Sequence, residues 1–139
     1  MVTGLDGKEY RLKLPKIRGV VKDSRPRSKL HISVRRVLRE LYPYDTIHEE
    51  ITLAGSKTPT RKSVLYADFF LPSRDLMIEA HGKQHFEFVP HYHKNKTGFY
   101  KSKARDRDKS EWCEVNNIDL LIFRHDETEE DWRSKIERR

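Results

Sequence analysis

Two apolar runs separated by three residues constrain this chain more than any other feature in it. "SVLYADFFLP" (63–72) and "LMIEAHG" (76–82) each read as a strand, and the "SRD" between them suits a hairpin. Each run carries one carboxylate in an apolar setting, Asp68 in the first and Glu79 in the second. On adjacent antiparallel strands the two can converge at one level of the sheet. Carboxylates brought together repel unless a proton or a cation lies between them.

The flanking segments supply the rest of a sheet. "SKLHISVRRVLRELYP" has a helical period, with Leu30, Val34, Val37, Leu38 and Leu41 in one stripe, Ser28 as a cap and Pro43 as a stop. "TIHEEITLAG" reads as a strand interrupted by His48, Glu49 and Glu50. "FEFVPHYHKNKTGFYKSK" shows no clean period and is expected to be a loop. "SKARDRDKSEWCEVNN" reads as a helix with Trp112 and Val115 facing inward and Asn117 as its C-cap. "IDLLIFRHDE" is a fourth strand, and Thr128 with Asp131 starts a last helix in capping-box fashion. A helix between the third and fourth strands allows a parallel crossover. The expectation is an α/β fold, a mixed four-stranded sheet flanked by helices. Residues 28–139 form that domain, and residues 1–27 form a basic N-terminal extension.

Composition bears on the partner. The 139 residues carry a formal charge of +7, with 37% charged and 35% hydrophobic residues. Residues 1–29 alone hold nine Lys or Arg against three acids. Such a balance favours an anionic partner, nucleic acid first and an acidic membrane surface second. The single cysteine, Cys113, excludes an internal disulfide and a Cys-x-x-Cys metal knuckle. The N-terminal residues lack a secretory h-region, and no run approaches a membrane span. An intracellular protein is expected.

A divalent metal with oxygen ligands resolves the repulsion of Asp68 and Glu79, and magnesium fits a sparse carboxylate site. Magnesium held by few protein groups keeps waters and takes phosphate oxygens, as phosphodiester hydrolysis requires. Glu79 and His81 share a strand face, so the imidazole is placed to position or deprotonate a water. The bland alternatives are solvated strand-end acids and an ordinary surface histidine.

The spacing D-x10-E-x-H resembles the PD-(D/E)XK nuclease signature. The longer phrase "ADFFLPSRDLMIEAHGKQHF" is similar to small proteins related to very-short-patch mismatch-repair endonucleases, and to the catalytic domains of certain phage and bacterial homing endonucleases. "RDRDKSEWCEVNNIDLLIF" resembles the same group's charged helix and following strand. The resemblance covers residues 28 to about 126. It implies a restriction-endonuclease-like fold and a metal-dependent endonuclease that leaves 5′-phosphate and 3′-hydroxyl ends. It further implies Mg2+ on Asp68 and Glu79, with Mn2+ as a substitute. Ala67 stands where the group usually has Pro, and His81 stands where it has Lys or, in many relatives, Asp. The group's helix acid has two counterparts here, Glu40 on the first helix or Glu50 on the first strand. His85 matches the group's His-Phe pair, Asp106 its helix-opening aspartate and Lys109 the base that follows.

For nucleic acid, Lys83, Gln84, Lys94, Lys96, Lys101, Lys103 and Lys109 are candidate phosphate contacts, and Phe88, Tyr92 and Phe99 candidate stacking platforms. A structural Zn2+ on His85, His91, His93 and Cys113 is not expected, because the mismatch-repair relatives' cysteine pattern is missing. DNA is the expected substrate and RNA the alternative. The chain acts as a monomer or homodimer, with room for a separate targeting partner, in the cytoplasm of a bacterial or phage-infected cell. The runner-up is a nucleic-acid-binding module that keeps the fold without cutting.

Overall fold

The computed structural model describes residues 1–15 and 27–139. Its centre is a four-stranded mixed sheet in the order β3 (His48–Leu53), β4 (Leu65–Leu71), β5 (Leu76–His81) and β6 (Asp119–Arg124). The first three strands are antiparallel, and β6 lies parallel to β5. The expected hairpin is β4–β5, closed by a 3-10 turn at Pro72–Arg74 and a left-handed Asp75.

Two apolar layers cover the sheet. Helix α1 (Lys29–Leu41) and helix α4 (Glu129–Glu137) lie on one face. There Val34, Val37 and Leu38 pack with Phe69, Leu71, Leu76, Ile78, Phe123 and Trp132. Ser28 caps α1 by accepting from the His31 amide, and Thr128 and Asp131 cap α4 reciprocally. The opposite face joins Ile51, Leu53, Leu65, Ala67, Phe70 and Met77 to Trp112 and Cys113 of helix α3 (Lys96–Val115). The Trp112 indole donates to the Ala54 carbonyl at 2.8 Å, so its one polar group is satisfied in the core.

The expected loop after β5 is partly helical. A 3-10 turn at Lys83–His85 and a four-residue helix α2 (Pro90–His93) precede α3, which begins six residues before the predicted start. Asn95 caps it by accepting from the Gly98 amide. Gly98 lets the turn close, since a side chain there would meet the His93 carbonyl oxygen at 2.2 Å. Val115, expected inside, is 46% exposed.

Residues 1–14, read from sequence as part of the extension, pack on the domain. β1 (Val2–Thr3) and β2 (Glu9–Tyr10) pair antiparallel. Val2, Leu5, Leu12 and Leu14 rest on the α3 side of the core, and the Asn116 side chain bonds the Thr3 backbone in both directions. The basic stretch between residues 16 and 26 lies outside the described residues. Among the described residues no helix is long and apolar enough to cross a membrane.

Candidate functional site

β3 and β4 both turn over at one level of the sheet. Ile47, just before β3, and Glu49 on it face the α1 side, whereas Ile51 and Leu53 face α3. On β4, Leu65 and Ala67 face α3, whereas Phe69 and Leu71 face α1. The pivots are Glu50, whose φ of 51° is left-handed, and Asp68, which the register sets opposite it. A non-glycine residue in that region is strained and concentrates at functional sites.

The β4–β5 ladder ends at Phe69 and Ile78, one step before Asp68 and Glu79. From there side chains replace backbone pairing. The Asp68 amide donates to Glu79 Oε2 at 2.7 Å, and the Ala80 amide donates to Asp68 Oδ2 at 2.8 Å. The two carboxylates therefore lie together where the strands part, with amides of the parted strands as their partners.

Glu79 points to the α3 side with Met77 and His81 and is 2% exposed. Lys109 of α3 donates to its Oε1. Burial pushes the Glu79 carboxyl up, but His81, Lys109 and the Asp68 amide outweigh it and hold it below the usual range. Asp68 goes the other way. Burial, and then the neighbouring Glu79 charge, push it up to about 6. Lys109, read from sequence as a phosphate contact, is thus a half-hidden ion-pair partner inside the carboxylate pair. It comes from α3 to place an ammonium group where His81 of the strand supplies none.

Asp106, one turn before Lys109, accepts from His85 Nδ1 at 2.9 Å. Such a bond fixes the tautomer and leaves Nε2 as the basic nitrogen. The His85 hydrogen bond overcomes the effect of burial and holds Asp106 below the usual carboxylate range. The His85 ring stacks on that of His81, with centroids 3.8 Å apart and planes 12° apart. His81 is buried, its Nε2 stands 3.8 Å from Glu79 Oε1, and that nitrogen has no hydrogen-bond partner.

The two candidate third acids fare differently. Glu40 sits near the far end of α1, half exposed and paired with Arg36 and Arg133. Nine residues separate it from His31, about 14 Å along a helix, so it does not join the site. His31 lies beside the site, stacked on Phe69 next to Asp68 in the chain and bonded to Glu49. Glu50 lies at the Asp68 level and is paired with Arg27. Sequence reasoning missed Glu49, whose carboxylate accepts from His31 Nε2 at 2.6 Å and from both ends of the Arg35 guanidinium at 2.8–2.9 Å. Its neighbour Glu50 hides this, because the left-handed turn breaks the alternation by which strand faces are read.

Lys94, Lys96, Lys101 and Lys103 are exposed, the last over the Phe86 and Phe99 rings. Lys83 pairs with Glu87 at 3.0 Å, and Gln84 folds back over Gly82. Of the aromatics, Tyr92 is 62% exposed, whereas Phe99 packs edge-on against His93. Tyr100, not singled out from sequence, is 65% exposed. Cys113 donates to Met77 Sδ at 3.4 Å, and burial pushes its thiol up to about 12. His93 Nδ1 accepts from the Val89 amide, and the ligand atoms of His85, His91, His93 and Cys113 are not gathered within 4.8 Å of one another.

The chain is similar to uncharacterized protein 307L of Invertebrate iridescent virus 6, at 40% identity over 57 residues. That match covers 41% of this chain and 29% of the viral protein. It is also similar to uncharacterized protein 033L of Invertebrate iridescent virus 3, at 32% identity over 65 residues, covering 47% of this chain and 34% of that protein. The matched part thus spans about a third of the curated relatives' length. No protein-family model matches the chain, and no solved structure matches it significantly.

Proposed function

We propose that this protein is a divalent-metal-dependent nuclease of the PD-(D/E)XK kind that hydrolyses phosphodiester bonds in DNA. The observation that carries the reading is the buried Asp68–Glu79 pair at the point where β4 and β5 part, flanked by Lys109 and the His85–Asp106 dyad. Burying two carboxylates side by side costs several kcal/mol per charge unless a cation offsets it. The donor set fits Mg2+, with Mn2+ as a substitute: both groups offer oxygen, and Asp68 resists ionising without a cation beside it. A bound Mg2+ would supply Lewis-acid charge at the scissile phosphate.

The chain's own groups do the rest. His85, with Nδ1–H held by Asp106, takes the proton of the attacking water through Nε2. Lys109 sets its ammonium group beside Glu79 and offsets charge that builds on the phosphate. His31 and Arg35 keep Glu49 ionised and brace the pivot of β3 against α1. Lys94, Lys96, Lys101 and Lys103 hold the backbone of the nucleic acid.

One observation favours the second reading, a binding module that does not cut. The Lys109–Glu79 ion pair already offsets one of the two charges without a metal. Purified protein incubated with plasmid, single-stranded DNA and RNA in Mg2+, Mn2+ or EDTA separates the readings. Metal-dependent cleavage abolished by Asp68→Ala is the expected result. Binding with no cleavage of any substrate in either metal would establish the second reading, and cleavage of RNA alone would change the substrate.

A further inference from the structure

We propose that His81, His85 and Asp106 form a second metal site, one that takes a borderline-soft divalent ion such as Zn2+ in preference to Mg2+. One donor atom from each of the three lies within 4.8 Å of the other two, and no other group of three or more among the described residues does this. A second observation points to a ligand. His81 is 6% exposed, yet its Nε2 has no hydrogen-bond partner. A buried imidazole nitrogen left unpaired is costly, and a metal ion is one of the few partners that satisfies it.

The chemistry of the donors sets the class of ion. Two imidazoles and one carboxylate suit Zn2+, Co2+ or Ni2+, whereas Mg2+ demands oxygen. Two histidines with one carboxylate also leave a coordination position open. The cluster borders a cavity of about 440 Å³ lined by Phe86, Lys103, Arg107 and Arg124, a setting for an anionic ligand at that position.

Binding requires one movement. Imidazole lone pairs lie in the ring plane, so two parallel stacked rings do not aim at one ion. His81 is fixed by burial, whereas the His85 side chain is 21% exposed and sits on a short 3-10 turn. His85 is therefore the ring that turns, exchanging its stack on His81 for the metal while Asp106 swings from Nδ1 to the ion. The site goes beyond the nuclease reading and is tested without activity, although an ion there would occupy the dyad assigned above to the water.

The test uses the full chain stripped of metal with EDTA and dialysed. Zn2+ is titrated calorimetrically, and Co2+ is followed by its visible d–d bands. One ion per chain is expected, undiminished by excess Mg2+. Asp106→Asn and His85→Asn, each with unchanged circular dichroism, should weaken Zn2+ at least about tenfold, the loss that even a supporting partner causes. Asp68→Asn should leave Zn2+ binding intact. Absence of Zn2+ binding in the parent overturns the site. So does loss of it in Asp68→Asn with retention in Asp106→Asn and His85→Asn, which would place the ion on the carboxylate pair.

Discussion

Asp68 and Glu79 are tied to each other's strands by side chain to backbone: the Asp68 amide donates to Glu79, and the amide after Glu79 donates to Asp68. Neither carboxylate can leave without stranding a buried amide, so the sheet itself holds the pair together. The repulsion this builds in is carried mainly by Asp68, which burial and Glu79 push up to about 6. A carboxyl that binds its proton more tightly folded than unfolded adds stability at low pH and loses it as pH rises. Without metal, the contribution of Asp68 to stability should therefore be greatest below about pH 4 and be lost as pH rises through about pH 6, opposite to the lowered carboxyls of Glu79, Glu49 and Asp106, whose contribution is lost as pH falls. Urea unfolding in EDTA across that range measures the slope. Asp68→Asn should remove the Asp68 part of it, and Mg2+ should stabilise the parent more above pH 6 than below pH 4. A parent and variant with the same slope would show that Asp68 does not carry the strain.

The His85–Asp106 bond sets which imidazole nitrogen is basic. Asp106→Asn keeps the shape and can present its amide to the wrong tautomer. Turnover should fall about 10²- to 10⁴-fold with little change in substrate affinity. Single-turnover cleavage alongside equilibrium binding makes the comparison. Equal losses in both would assign Asp106 to binding.

Glu50 and Glu40 give a paired control. Glu50 stands at the Asp68 level with a left-handed backbone, and Glu40 is held at the far end of α1 by Arg36 and Arg133. Glu50→Gln should lower cleavage and weaken its dependence on Mg2+, whereas Glu40→Gln should change neither. The reverse pattern in a metal titration would return the third acid to the helix.

The exposed lysines and tyrosines of α2 and α3 predict how nucleic acid is held. Lys101→Ala should lower the slope of log affinity against log salt by about 1. Tyr92→Ala should weaken single-stranded DNA by about tenfold and duplex much less, because only splayed bases stack. Fluorescence anisotropy at several salt concentrations reads both effects. A salt slope unmoved by the Lys101 change would take α3 off the phosphate path.

The strands, their hairpin and the parallel β6 were legible because apolar runs and turn residues are local signals. Asp68, Glu79, His85 and Asp106 were legible as residues, and the first two also as a pair, because a hairpin fixes its own register. Three things were not. The start of α3 was hidden because Asn95 and Gly98 close a turn through an approach that depends on His93, a tertiary fact. Glu49 was hidden by the left-handed Glu50, which breaks period-2 alternation. Lys109 was read as the base that follows Asp106 in the resembling group and as a phosphate contact, but its bond to Glu79 was not read, because charge runs usually face water. A signal was nevertheless present, since Asp106, Lys109 and Trp112 or Cys113 follow each other at helical spacing on one face, and Trp112 fixes that face as the inner one.

Lys109 is the residue on which the chemistry of this site turns. His81 occupies the strand position that in the resembling nucleases holds lysine, and an ammonium group reaches Glu79 from α3 instead. If the two positions serve one volume of space, the cation can be moved back. Lys109→Ala should lower cleavage about 10²- to 10³-fold, the usual loss when a charge-stabilising donor is removed. It should also destabilise the fold by about 3–5 kcal/mol, because Glu79 is left buried beside no cation. Adding His81→Lys to that variant should recover part of both losses, while His81→Lys alone should bring two cations to one carboxylate and gain nothing. Thermal melts and cleavage rates of the four proteins form a double-mutant cycle. Strictly additive losses would mean that Lys109 and position 81 act in different places, and the ammonium group would then serve the fold rather than the phosphate.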